Sequence, residues 1–318
     1  MSNREARVTA GSAPRIRGRP RIGLALGSGS ARGWAHIGVI RALEERGIKP
    51  EIVCGASIGA LVGAAYAAGE LERLAGWVSD LAWTDVLKLV DVTWRGGLIR
   101  GQRLFDFFRS HFADRDIQSL GLTYAAVATE LSSGREVWLR EGSVLDAVRA
   151  SIAIPGIFAP MPRDGEMLVD GGLVNPVPVT VCRALGAEIV IAVDLAWAKR
   201  VHNRAGNMPR RQPAAAEAAR TPNWLQRLGS GWVERLLRGL GPDEEALPSI
   251  IDVFLGSIDI VQERVARSRL AGDPADVLVT PRLPDFAAIE FHRAREAIQE
   301  GRAAVERVAS QIEQIVEG

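Results

Sequence analysis

An α/β fold whose sheet is parallel at its centre is what this sequence predicts. Two observations carry that expectation. The chain opens with two strand–loop–helix units in succession, "RIGLALGSGSARGWAHIGVIRALEERGI" and "EIVCGASIGALVGAAYAAG". Further on, "EIVIAVDL" is another apolar run of strand length that follows a helical pattern. Strands separated by single crossover helices become parallel neighbours.

The elements follow in order. Residues 22–26 are a short apolar strand, "GSGSARG" is a glycine-rich loop, and Ile37, Val39, Ile40 and Leu43 mark a helix that Gly47 is placed to stop. "EIVCGAS" is the second strand and "IGALVGAAYAAG" the second helix. From Glu70 to Phe112 the pattern is helical, interrupted by "RGGLIRG". "LTYAAVATEL" and "GREVWLR" read as two strands joined by Ser132-Ser133-Gly134. "SVLDAVRASIAIP" is a helix with Ser143 as N-cap, ending near Pro155. "EMLVDGGLVNPVPVTVCRALGA" goes strand, loop, helix. Beyond Trp197, "KRVHNRAGNMPRRQPAAAEAARTPN" is polar and basic without a period, the composition of a disordered insertion. "SIIDVFLGSIDIVQERVARSRL" is a helix, "ADVLVTP" a short strand, and "FHRAREAIQEGRAAVERVASQIEQIV" one terminal helix.

Bulk properties narrow the function classes. At 318 residues the chain exceeds one small core, so one large domain with additions, or two domains, is expected. A net charge of +1 gives no basic field for nucleic acid. Cys54 and Cys182 sit among apolar residues and read as buried free thiols, with neither a disulfide framework nor a metal site. No apolar run approaches the ~20 residues of a membrane span. The N-terminal stretch lacks the apolar core of a secretory signal, so residues 1–20 read as a basic disordered tail of a cytoplasmic protein.

Chemistry concentrates in three segments. Gly55-Ala56-Ser57-Ile58-Gly59 is a G-x-S-x-G pattern between an apolar strand and a helix rich in small residues. Such a turn exposes a serine nucleophile and needs Gly55 and Gly59 to be small, while the helix start aims N–H groups at the site. The bland alternative is an ordinary N-capping serine. In "GSGSARG" a dinucleotide fingerprint fails because Arg32 stands where the third glycine belongs, and no Gly-Lys-Ser/Thr supports a phosphate loop. Successive small residues before a helix still form a nest of N–H donors suited to an oxyanion. Asp170 follows an apolar strand and precedes Gly171 and Gly172, so it is a candidate base. A turn aspartate bonding the backbone two residues on is the competing reading. Asp194 is a rival base, ranked lower because Leu-Ala-Trp follows it. The four histidines, His36, His111, His202 and His292, lie in no evident catalytic loop.

"LGSGSARGWAHIGVIRAL", "GASIGALVGAAYA", "SIAIPGIFAPM" and "LVDGGLVNPVPV", in that order, resemble the patatin-like phospholipase family over about Ile22 to Leu195. The resemblance implies a three-layer α/β/α fold with a mostly parallel central sheet and a serine–aspartate dyad that uses no histidine. It implies Ser57 as nucleophile and Asp170 as base, with Ser28, Gly29 and Ser30 as the oxyanion loop. Serines stand at two of that loop's glycine positions. Arg32 and Gly33 complete the loop, with Arg32 pinning it or meeting an anionic head group. The implied substrate is a lipid acyl ester, with no cofactor and no metal. A Ser-His-Asp esterase and a non-enzymatic scaffold that keeps the fold are the rivals.

The expected organisation is a tail at 1–20, a catalytic core at 21–197, a basic flexible insertion at 198–248 and a C-terminal completion of the core at 249–318. Within the insertion, Trp224, Leu225, Leu228, Trp232, Val233, Leu236, Leu237 and Leu240 recur at helical spacing, with Arg227, Arg235 and Arg238 tending to the other face. That pattern suits reversible contact with an anionic membrane surface, or packing on the core.

Overall fold

The computed structural model describes residues 20–82, 109, 114–196 and 250–317. The insertion at 198–248 with its amphipathic segment 223–240, nearly all of the basic tail, the helical pattern beyond residue 82, and His111 and His202 lie outside the described residues.

The opening units form as their patterns require. Strand β1 (Ile22–Leu26) is buried along its length and leads through a 3-10 turn (Ser30–Trp34) into α1 (Ala35–Glu45). Gly47 follows α1 with φ +73°, the left-handed conformation that ends helices at glycine. Strand β2 (Ile52–Ala56) runs into α2 (Ile58–Ala67), and α3 (Leu71–Ser79) follows. Next come β3 (Thr123–Glu130), β4 (Glu136–Leu139) and α4 (Val144–Ser151). The Ser143 hydroxyl caps α4 by accepting the Asp146 N–H at 3.0 Å. Strands β5 (Met161–Arg163) and β6 (Glu166–Asp170) form a hairpin, followed by α5 (Val179–Ala184) and β7 (Ile189–Val193). The chain closes with α6 (Ile250–Gly272), β8 (Val277–Val279), α7 (Ala294–Glu306) and α8 (Ala309–Glu317).

One eight-stranded sheet joins these strands in the order β5-β6-β3-β2-β1-β7-β8, with β4 also beside β3. Its centre, β3-β2-β1-β7-β8, is parallel. Antiparallel pairing enters only beyond β2, where β4 and β6 meet β3 and β5 meets β6. The period-two alternation of strand side chains sorts the core into two layers. Leu24, Leu26, Val53, Ile191 and Val193 face one cluster with α1, α2, α4 and α7. Ala25, Ile52, Cys54, Val190 and Ala192 face the other, with α5 and Ala266 of α6. Helices thus cover both faces, as the three-layer expectation requires. Both cysteines are free and buried in the second layer.

The terminal segment departs from the expectation of one helix. It is a 3-10 turn (Phe291–Arg293) and two helices, α7 and α8. Neither glycine nor proline marks the break. At the break the Arg307 side chain donates back to Glu300 on α7 and to the Thr280 carbonyl, and Ile312 of α8 is wholly buried.

Register around β3 places the site. Ala126 and Val127 pair with both β2 and β4, so those strands lie on opposite edges of β3. Ala128 and Thr129 pair with both β6 and β4, so β6 also lies opposite β4. Strands β2 and β6 therefore share one edge of β3, end to end. Ala56 pairs with Val127 and Asp170 pairs with Ala128, so the chain leaving β2 turns away where Asp170 arrives.

Candidate active site

Ser57 stands at that junction. Its backbone is at φ 56° and ψ −125°, a region that a side-chain-bearing residue occupies only under strain. The flanking glycines make the turn sterically feasible. A β-carbon on Gly55 would overlap the Gly59 backbone, and one on Gly59 would overlap the Leu26 carbonyl at the end of β1. The Ser57 side chain makes no capping bond to α2, which sets aside the N-cap reading. Its Oγ instead donates to Asp170 Oδ2 at 2.6 Å.

Asp170 is held on every side. Its N–H donates to the Ala153 carbonyl at 2.9 Å, in the "SIAIPGIF" segment. Its carbonyl accepts from the Thr129 hydroxyl at 2.8 Å. Oδ1 accepts the Gly172 N–H at 2.7 Å, so the turn aspartate and the serine's partner are the same residue. A β-carbon on Gly171 would overlap the Val127 carbonyl, so that glycine lets the turn lie against β3. The carboxyl is wholly buried, and burial pushes its pKa from 3.8 up to about 6, while the Ser57 hydroxyl and the Gly172 N–H pull it back down. Asp194, the rival, accepts the Ala196 N–H at 2.9 Å in its own turn.

The glycine-rich loop lies beside the serine turn. A β-carbon on Gly33 would overlap the Ile58 side chain, and one on Gly59 would come within 2.8 Å of the Gly27 carbonyl oxygen. Among the three loop positions the N–H groups are not equivalent. Ser28 donates its N–H to the Pro176 carbonyl at 2.8 Å, so it is not available to an oxyanion in this conformation. The N–H groups of Gly29 and Ser30 have no protein partner among the described residues. Ser30 is held at φ 52°. Arg32 is buried and turned into the protein, its Nε donating to the Gly29 carbonyl at 3.2 Å and its Nη2 meeting Asp259 at 3.3 Å. It pins the loop.

The two described histidines stand elsewhere. His36 is wholly buried in α1, with Nε2 at 2.7 Å from the Gly27 carbonyl. Burial lowers its pKa to about 4, so the ring is neutral at pH 7 and Nε2 carries the proton it donates. His292 is exposed in the 3-10 turn before α7.

Three contributors have no pattern in the sequence. The Ser151 hydroxyl, on the last residue of α4, accepts the Ser57 N–H at 2.9 Å and donates to the Val127 carbonyl at 2.6 Å. Asp259 and Gln262 reach the loop from α6, where the Ser28 hydroxyl donates to Gln262 Oε1 at 3.0 Å. A lone serine in a helical tail and polar residues on a distant helix carry no local signature. Only the order of the four motifs marked Ser151's segment at all. Among the described residues no cluster of histidine, cysteine and carboxylate side chains is arranged to hold a metal ion.

Comparison with known proteins gives a consistent result. The patatin-like phospholipase family model matches residues 24–183. An uncharacterized NTE family protein of Mycobacterium bovis is 36% identical over 340 residues, covering 93% of this chain and 94% of that protein. Patatin-like phospholipase domain-containing protein 6 of Homo sapiens is 36% identical over 183 residues, 55% of this chain and 13% of that protein. Among solved structures, VipD from Legionella pneumophila aligns with a TM-score of 0.42 at 12% identity, covering 92% of this chain and 67% of that one.

Proposed function

We propose that this chain, which belongs to the patatin-like phospholipase family, hydrolyses carboxylic esters of lipids through Ser57 and Asp170. The observation that carries the reading is the 2.6 Å bond from Ser57 Oγ to Asp170 Oδ2 at a strained strand–helix turn. As the Ser57 oxygen attacks the ester carbonyl, its proton passes to Asp170. The carbonyl oxygen becomes an oxyanion beside the Gly29 and Ser30 N–H groups and the start of α2. Collapse expels the alcohol, which takes the proton from Asp170 and leaves an acyl ester on Ser57. Water then gives a proton to Asp170 as it attacks that ester, and collapse returns the proton from Asp170 to the leaving Ser57 oxygen and releases the fatty acid.

The energetics fit this division of labour. A solvated aspartate, at a pKa of ~3.9, is a feeble base toward a hydroxyl. Burial moves Asp170 toward neutrality while leaving it ionised above pH 6. The oxyanion donors supply the larger share of the barrier reduction, on the order of 3 kcal/mol each. The family favours a lipid ester over a water-soluble one, and residues 223–240 are proposed to bring the enzyme reversibly to an anionic membrane surface.

Two measurements test the reading. A fluorophosphonate should add one mass equivalent to the wild-type chain, at Ser57, and none to Ser57→Ala. Lipid profiling with purified protein should show fatty acid release from an ester lipid. Labelling elsewhere, or release undiminished in Ser57→Ala, would sink the assignment.

A further inference from the structure

The two loop N–H groups without a partner among the described residues are held in place from α6. Gly29 O accepts both the Arg32 N–H and Arg32 Nε, each at 3.2 Å. The described peptides are all trans, and in a trans peptide the C=O and the following N–H point in opposite directions. A Gly29 carbonyl turned toward Arg32 therefore turns the Ser30 N–H away from it. What fixes Arg32 is Asp259 on α6, whose carboxylate oxygens lie 3.3 and 3.4 Å from Nη2 in a nearly buried ion pair. One helical turn on, Gln262 accepts the Ser28 hydroxyl at 3.0 Å. The same side chain packs over the turn after Asp170, since a β-carbon on Gly172 would come within 2.6 Å of its Nε2. Ser30 sits at φ 52°, a left-handed conformation that residues with a side chain adopt only uncommonly.

Resting on the reading of Ser57 and the loop as an acyl-transfer site, we propose that Asp259 and Gln262 of α6 are positioning residues for the oxyanion donors. Asp259 acts through Arg32 on the Gly29–Ser30 peptide, and Gln262 acts through the Ser28 hydroxyl. Ser28 is thereby given a use at a position where the related motif has glycine. Residues outside the segment matched by the family model thus set the geometry of a loop inside it.

The test is steady-state kinetics of the full chain on a soluble p-nitrophenyl ester, with Ser57→Ala as the zero. Asp259→Ala should lower kcat by about 10- to 100-fold, part of the ~100- to 1,000-fold that a missing oxyanion donor costs, with KM within about twofold. Asp259→Asn, which keeps an oxygen acceptor, should recover part of that loss and serves as the variant of record if Asp259→Ala does not fold. Arg32→Ala combined with Asp259→Ala should be no worse than Arg32→Ala alone, because the two act in series. Folded Asp259 variants with wild-type kcat, or losses that multiply in the double variant, would overturn the inference while leaving the functional reading intact. A wild type whose hydrolysis does not depend on Ser57 would overturn both.

Discussion

Asp170 is a carboxylate that the fold buries completely and that the proposed mechanism needs in its charged form. Two consequences are measurable. Hydrolysis of a soluble ester should rise with pH through about 6 as the buried carboxyl ionises, and level off above. A limb that instead vanishes on replacing one histidine would restore an imidazole base. The second consequence is in stability. The folded pKa lies above the 3.8 of a free aspartate, so the native state binds the extra proton between about pH 4 and pH 6. Stability therefore falls as pH rises through that window, and the full cost is present above it. Asp170→Asn should then stabilise the protein at pH 8 by up to about 3 kcal/mol, and much less at pH 4. An equal change in melting temperature at both pH values would contradict this. Ser151 is a second residue-scale test. Its removal leaves the buried Ser57 N–H and Val127 carbonyl without their shared partner. Ser151→Ala should cost about 1–3 kcal/mol of stability and loosen the nucleophile turn, visible as a lower kcat. Denaturant unfolding of wild-type stability would show the bridge to be dispensable.

At the scale of elements, what was legible depends on how local the cause is. The strand–loop–helix units were readable because each is encoded by adjacent residues: an apolar run, small residues at the turn, then helical spacing. Ser143 at its helix start and Gly47 beyond α1 behave as their types require. The break between α7 and α8 was not readable, because neither glycine nor proline marks it in the sequence. The contact between α1 and α7 was equally hidden. Gly38 lies against the Ile298 carbonyl and Gly301 against the Ala35 carbonyl, so these helices meet backbone to backbone. In a single helix such glycines look merely unfavourable. Gly301→Ala should force the pair apart at a cost of about 1–3 kcal/mol, despite the better helix propensity of alanine. A melting temperature at or above wild type would show that the helices can yield.

Across the whole molecule, elements beyond the segment that carries the resemblance pack against it. Strand β8 pairs with β7, α7 covers α1, and α6 reaches the glycine-rich loop. Ser57 and Asp170 were each marked by a motif, but their meeting was not legible, since it depends on β2 and β6 sharing an edge of β3. Residues 223–240 lie outside the described residues, and their sequence pattern alone carries the membrane proposal. Deleting residues 200–240 should reduce vesicle co-sedimentation and hydrolysis of vesicle lipid while sparing a small soluble ester. Equal loss on both substrates with a lowered melting temperature would assign the segment to the core. The central claim, a serine–aspartate pair working without histidine, is tested most directly by kcat on a soluble ester for Ser57→Ala, Asp170→Asn and the double variant. Each single change should abolish turnover with the fold intact, and the double variant should be no worse, because the two residues act as one unit. Near-normal kcat in a folded Asp170→Asn protein would contradict the account.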